Sequence, residues 1–99
     1  MILNKAHEDI ETIQDVTNLI YEIIIKQFSI FTITKIVQKV EDALVGSKLD
    51  ISEENVYTRV VECVKRLQKL SFVVASCKDT YVVIVSEEAL KYLIVEENI

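Results

Sequence analysis

Ninety-nine residues with 51% hydrophobic side chains make one globular domain with a single, thin core. A charged fraction of 27% at that hydrophobicity excludes intrinsic disorder, and one glycine with no proline excludes collagen-like, linker-rich and Pro-rich recognition chains. A net charge of −5 excludes a blanket nucleic-acid coat, and two cysteines are too few for a disulfide framework.

The charge is uneven. Residues 1–27 carry a net −3, residues 28–85 a net +1 and residues 86–99 a net −3, so the acid sits on the two ends. The first residues are acidic where a secretory leader needs a basic start and an apolar run. The longest apolar stretches, Ile23-Ile24-Ile25 and Tyr81 to Val85, are far too short to span a bilayer. A soluble, cytoplasmic protein with no membrane contact is the expectation. No internal repeat is visible.

His7 to Gln27 reads as a helix, because Ile10, Ile13, Val16, Ile20, Ile23 and Ile24 recur at three- and four-residue steps. Glu8, Asp9 and Glu11 fall in its expected first turn and Lys26 in its last, matching the helix dipole. Tyr21 and Ile25 widen the apolar surface beyond one stripe. Such a helix packs against two surfaces, either a partner chain or a second face within its own domain.

Phe28 to Phe31 is a short β-branched and aromatic run that suits one strand. Thr32 then caps a second helix, Ile33 to Val45, with Ile36, Val37, Val40 and Leu44 facing inward. Gly46, the only glycine, supplies the left-handed residue that ends it. Ser52, followed by Glu53 and Glu54, opens a third helix reaching about Leu70. Val56, Val60, Cys63, Val64, Leu67 and Leu70 form one face of that helix. Asn55, Thr58, Arg59, Glu62, Lys65, Arg66 and Lys69 form the other.

Phe72 to Ser76 and Tyr81 to Val85 are Val-rich strand patterns around Cys77-Lys78-Asp79-Thr80, which reads as a tight hairpin. Ser86 caps a last helix with Glu87 and Glu88 in its first turn and Ala89, Leu90, Leu93 and Ile94 as its apolar side.

Catalytic chemistry finds little footing. His7 is the only histidine and stands near one end beside Glu8 and Asp9, where a solvated or capping role suits it better than that of a general base. One glycine cannot build a phosphate-cradling loop, and Cys63 and Cys77 with one remote histidine lack zinc spacing. Cys63 belongs to an apolar face and Cys77 to a turn. An enzyme, a metal and a cofactor are therefore not expected.

The order helix, strand, helix, amphipathic helix, hairpin, helix resembles the winged helix-turn-helix family over Phe31 to about Ile84. The resemblance rests on Phe31-Thr32 opening the second helix and on Ser52-Glu53-Glu54-Asn55-Val56 entering the third. It also rests on the run from Arg59 to Leu70 leading into a Val-rich hairpin. It implies an α+β fold: a three-helix core with a C-terminal β-hairpin wing, plus extra helices over residues 1–27 and 86–99. The sequence departs from the family pattern at Ser71, where glycine is common, and in a short hairpin tip with one charge of each sign, Lys78 and Asp79.

The resemblance implies binding to double-stranded DNA as a small transcriptional regulator, with the third helix in the major groove. Asn55, Thr58, Arg59 and Glu62 then meet base edges: Arg suits guanine, Asn adenine, and Glu accepts from cytosine. Lys65, Arg66 and Lys69, with Lys35, Lys39 and Lys78, then hold phosphates. Outer helices in this family commonly pair between subunits. Tyr21, Ile23, Ile24, Ile25, Leu90, Tyr92, Leu93 and Ile94 are the expected homodimer contacts. The alternative is a winged-helix module that binds protein rather than DNA. Net −5, the small hairpin tip and Glu53 with Glu54 favour that alternative.

Overall fold

A computed structural model describes residues 10–94. The elements run α1 (Ile13–Gln27), β1 (Ile30–Thr32), α2 (Ile33–Leu44), α3 (Glu53–Lys69), β2 (Val73–Ala75), β3 (Thr80–Val83) and a 3-10 helix (Glu87–Tyr92). The fold is mixed α and β: helices over a small antiparallel sheet.

Each α-helix starts where a side chain can satisfy free backbone N–H groups. At α1 the Thr12 hydroxyl accepts from the Asp15 amide at 3.1 Å, and Asp15 Oδ2 accepts from the Thr12 amide at 3.1 Å and the Glu11 amide at 2.9 Å. This reciprocal box corrects the expected start at His7. The true first-turn acid is Asp15, and Glu11 precedes the helix. His7, Glu8 and Asp9 lie outside the described residues. Thr32 caps α2 through the Lys35 amide at 3.1 Å, and Ser52 caps α3 through the Asn55 amide at 3.2 Å, both as expected.

The C-terminal ends turn on left-handed residues. Gly46 takes φ +87° just after α2. At α3, Ser71 takes φ 65°. Its amide donates to the Gln68 carbonyl at 3.0 Å, and the Phe72 amide donates to the Leu67 carbonyl at 2.8 Å. These two bonds are the Schellman pattern, in which the left-handed position usually belongs to glycine. The missing glycine noted at Ser71 has not changed the turn; serine occupies it with a strained backbone.

The sheet has order β1-β3-β2. Phe31 pairs with Tyr81 and Val73 with Val83, and these rows face the helices. The Phe31 and Tyr81 rings stack with centroids 5.4 Å apart. The strands are displaced from expectation by one or two residues, and the hairpin turn spans 76–79. Thr80 pins that turn: its hydroxyl donates to the Cys77 carbonyl at 2.6 Å.

The core gathers Val16, Ile20 and Ile24 of α1, Ile36 and Val40 of α2, and Val56, Val60, Val64 and Leu67 of α3, all nearly devoid of solvent contact. α1 packs on α2, α3 and the 3-10 helix. Burying one such Val or Leu contributes about 1.5–3 kcal/mol. The expected final helix is instead a 3-10 turn, for which Ser86 makes no side-chain cap bond. Its expected continuation past Ile94 lies outside the described residues. No helix among the described residues is long and apolar enough to cross a membrane.

Candidate nucleic-acid interface

α3 is the longest helix described, and its inner face is fixed by five buried residues: Val56, Val60, Cys63, Val64 and Leu67. That anchoring turns Asn55, Thr58, Glu62, Lys65, Arg66 and Lys69 outward into solvent, with Arg59 half-buried at the flank. Leu70, expected inside, is instead 41% exposed, because the chain leaves the helix there through Ser71.

Two zones follow along this face. In the first half, the Asn55 backbone amide is occupied by the Ser52 cap, while its carboxamide sits on the exposed surface. The Arg59 guanidinium does not stand alone: Nη1 donates to Glu62 Oε1 at 3.1 Å. In the second half, Lys65, Arg66, Lys69 and Leu70 line one open cleft of about 490 Å³. None of these three cations forms an ion pair with a carboxylate among the described residues. Solvent screens their mutual repulsion, and a bound anion would relieve it further. The structure thus brings together three of the expected phosphate ligands. Lys35 and Lys39 are exposed on α2 and Lys78 at the hairpin tip, and none of them lines this cleft among the described residues.

Tyr57 and Gln68 join the exposed face of α3 that the sequence pattern outlines. Tyr57 is 52% exposed, next to Thr58. Its signal was its place out of step with Val56, Val60 and Val64, masked by its apolar character. Glu53 and Glu54 are exposed in the first turn.

Behind α3, Tyr21 of α1 meets Cys63. Burial first, and then the neighbouring Cys63 thiol, push the Tyr21 hydroxyl up to about 12. Burial likewise pushes the Cys63 thiol up to about 11, against the lowering effects of Tyr21 and the Arg59 and Arg66 charges. Both groups are neutral at physiological pH, so Cys63 is a packing residue there and carries no thiolate chemistry. Cys77 is exposed. No group of three or more potential metal ligands gathers among the described residues.

The expected homodimer contacts require correction at most positions. Tyr21, Ile23, Ile24, Ile25, Leu90 and Leu93 are buried within a single chain, and Ile94 is half-buried against the same core. Among the eight, only Tyr92 is largely open, at 68%. The apolar breadth of α1 arises because α2 and α3 cover part of it and the 3-10 helix another.

No protein-family model matches the chain. No curated protein matches it in sequence. No solved structure matches it either.

Proposed function

We propose that the chain is a winged helix-turn-helix domain that binds double-stranded DNA through α3, as a small transcriptional regulator. The observation that carries this reading is the cleft lined by Lys65, Arg66 and Lys69 on the open face of a helix firmly seated by its other face. Support also comes from the element order, in which α2 packs on α3 and α3 leads directly into the β2–β3 hairpin. In this account Asn55, Thr58 and Arg59 enter the major groove. Arg59 exchanges its surface partner Glu62 for a guanine edge. Tyr57 offers an apolar edge to a thymine methyl or a sugar. Lys65, Arg66 and Lys69 neutralise phosphates along the groove wall, and Lys35, Lys39 and Lys78 add weaker, peripheral charge.

Replacing all three cleft cations, Lys65→Ala, Arg66→Ala and Lys69→Ala, tests the reading. The expected result is a folded protein, judged by circular dichroism, that has lost duplex binding at every salt concentration. Undiminished binding by the folded variant rejects it. At a selected site, Arg59→Ala should cost about 1–3 kcal/mol and relax discrimination at one base pair.

A second reading keeps the same fold and gives it a protein partner. The observation that favours it is the pair of exposed carboxylates, Glu53 and Glu54, at the end of α3 that a DNA groove would meet first. Absence of duplex binding together with capture of a basic protein partner that Glu53→Lys abolishes would decide for it.

A further inference from the structure

Leu70 is an apolar side chain among three cations. It is 41% exposed and lines the α3 cleft with Lys65, Arg66 and Lys69. The backbone fixes it there. Leu70 keeps right-handed angles, φ −83° and ψ −3°, and its amide donates to the Arg66 carbonyl at 3.0 Å, so it continues the helix surface by one residue. The chain turns away only at Ser71. The apolar contact that accompanies a Schellman turn falls to Leu67 and Phe72, which both belong to the core cluster. The turn therefore does not account for a leucine at this position.

A phosphate alone has no use for that leucine, because phosphate is met by charge and hydrogen bonds. A nucleic-acid backbone alternates its phosphates with sugars. The 2′ carbon of a deoxyribose carries only hydrogen, whereas that of a ribose carries a hydroxyl that both donates and accepts. We infer that Leu70 is a specificity-determining residue: it packs on the deoxyribose beside the phosphates held by Arg66 and Lys69, and so makes the cleft select DNA over RNA. The inference rests on the duplex-binding reading above and adds the sugar to it.

The placement follows from helix geometry. Arg66 and Leu70 are four residues apart and neighbours on the helix surface, and Lys69 adjoins Leu70 in sequence. A strand whose phosphates are held by Arg66 and Lys69 therefore carries a sugar across Leu70. Among the described residues the cleft is lined by these four side chains alone. Lysine and arginine carry donors only and leucine carries neither donor nor acceptor, so the proton of a 2′-hydroxyl finds no side-chain acceptor here. A ribose pressed against Leu70 loses water from its hydroxyl without gaining a full replacement, which lowers affinity. A deoxyribose has nothing to lose there, and its apolar edge gains the contact.

Fluorescence anisotropy of the full chain with two duplexes of one sequence tests the assignment. One is RNA and the other is DNA with uracil in place of thymine, so that the sugar is the only chemical difference. The wild-type chain should bind the DNA duplex at least about fivefold more tightly. Leu70→Asn, which sets a donor and an acceptor at the same place, should bring the two affinities to within about twofold. Its salt slope on DNA should stay unchanged, because no phosphate ligand is lost. Val45→Asn, at a residue 72% exposed outside the cleft, should leave the preference intact. Circular dichroism confirms the fold of each variant, and Leu70→Ser replaces Leu70→Asn if that variant unfolds. Equal binding of both duplexes by the wild-type chain overturns the sugar contact and leaves the phosphate contacts standing. A preference that persists undiminished in Leu70→Asn also overturns it, since the helical form of the duplex would then be its source. Binding to neither duplex at low salt overturns the duplex-binding reading, and this inference falls with it.

Discussion

Arg59 and Glu62 hold each other on the exposed face of α3, with Nη1 3.1 Å from Oε1 and both side chains in contact with solvent. An exposed pair one helical turn apart contributes only a few tenths of a kcal/mol. The latch therefore costs little to open, and it holds the guanidinium near the outer face until a better acceptor arrives. Glu62→Gln removes a negative charge from the proposed groove face and loosens Arg59. Affinity for random duplex DNA should rise, while thermal stability stays within about 0.5 kcal/mol of the original. Fluorescence anisotropy and thermal melts read the two quantities. A fall in affinity would mean that Glu62 is itself a ligand-contacting residue.

The turn after α3 carries strain that glycine would relieve. Ser71 sits at φ 65° with both Schellman hydrogen bonds formed. A left-handed non-glycine residue costs about 1–2 kcal/mol, partly offset by the greater freedom of glycine in the unfolded chain. Ser71→Gly should therefore stabilise the protein by about 0.5–1 kcal/mol in denaturant titration. Gly46→Ala should do the reverse by a similar amount. Nothing lies within 4 Å of the added methyl, so only the φ of +87° opposes it. An unchanged midpoint for both variants would show that the turns relax freely.

Stability should decline in alkali for a local reason. Cys63 ionises in the unfolded chain near 9.0 and in the folded chain near 11; Tyr21 shifts from 10.0 to about 12. Both acids hold their protons more tightly when folded, so their contribution is fully present below pH 9. It is lost as pH rises through the folded values. Cys63→Ala removes the thiol's share. The variant should be less stable at neutral pH, since buried packing is lost, yet its stability should fall less steeply between pH 9 and 11. An identical pH slope in both proteins would separate the thiol from the effect.

α3 was legible almost in full, because a strict apolar repeat, a serine cap and two first-turn acids all agree on one element. α2 was legible through Thr32 and Gly46 for the same reason. The start of α1 was misread because Glu8, Asp9 and Glu11 imitate a first turn. The deciding signal was Thr12 three residues before Asp15, a capping box that outweighs scattered acids. The expected dimer contacts fell on residues that one chain buries in its own core, for a tertiary reason. Periodicity shows that α1 is apolar on two sides, but not that its own domain supplies both covers. The outward row Ile30, Val82 and Val74 depends on strand register, which no single strand pattern contains. The Lys65, Arg66 and Lys69 group was visible as a helical face, and the cleft it lines took shape only with Leu70 leaving the core.

The open face of α3, as proposed, meets the phosphates of duplex DNA. The most direct test is the fluorescence anisotropy of a random-sequence duplex pool titrated with the full chain over a range of salt concentrations. Binding at low salt should weaken steeply as salt is added, with a log–log slope of about −0.9 for each phosphate neutralised and a shallower slope when Lys69→Ala removes one contact. Absence of binding at the lowest salt would contradict it, and α3 would then be a face for protein rather than for DNA.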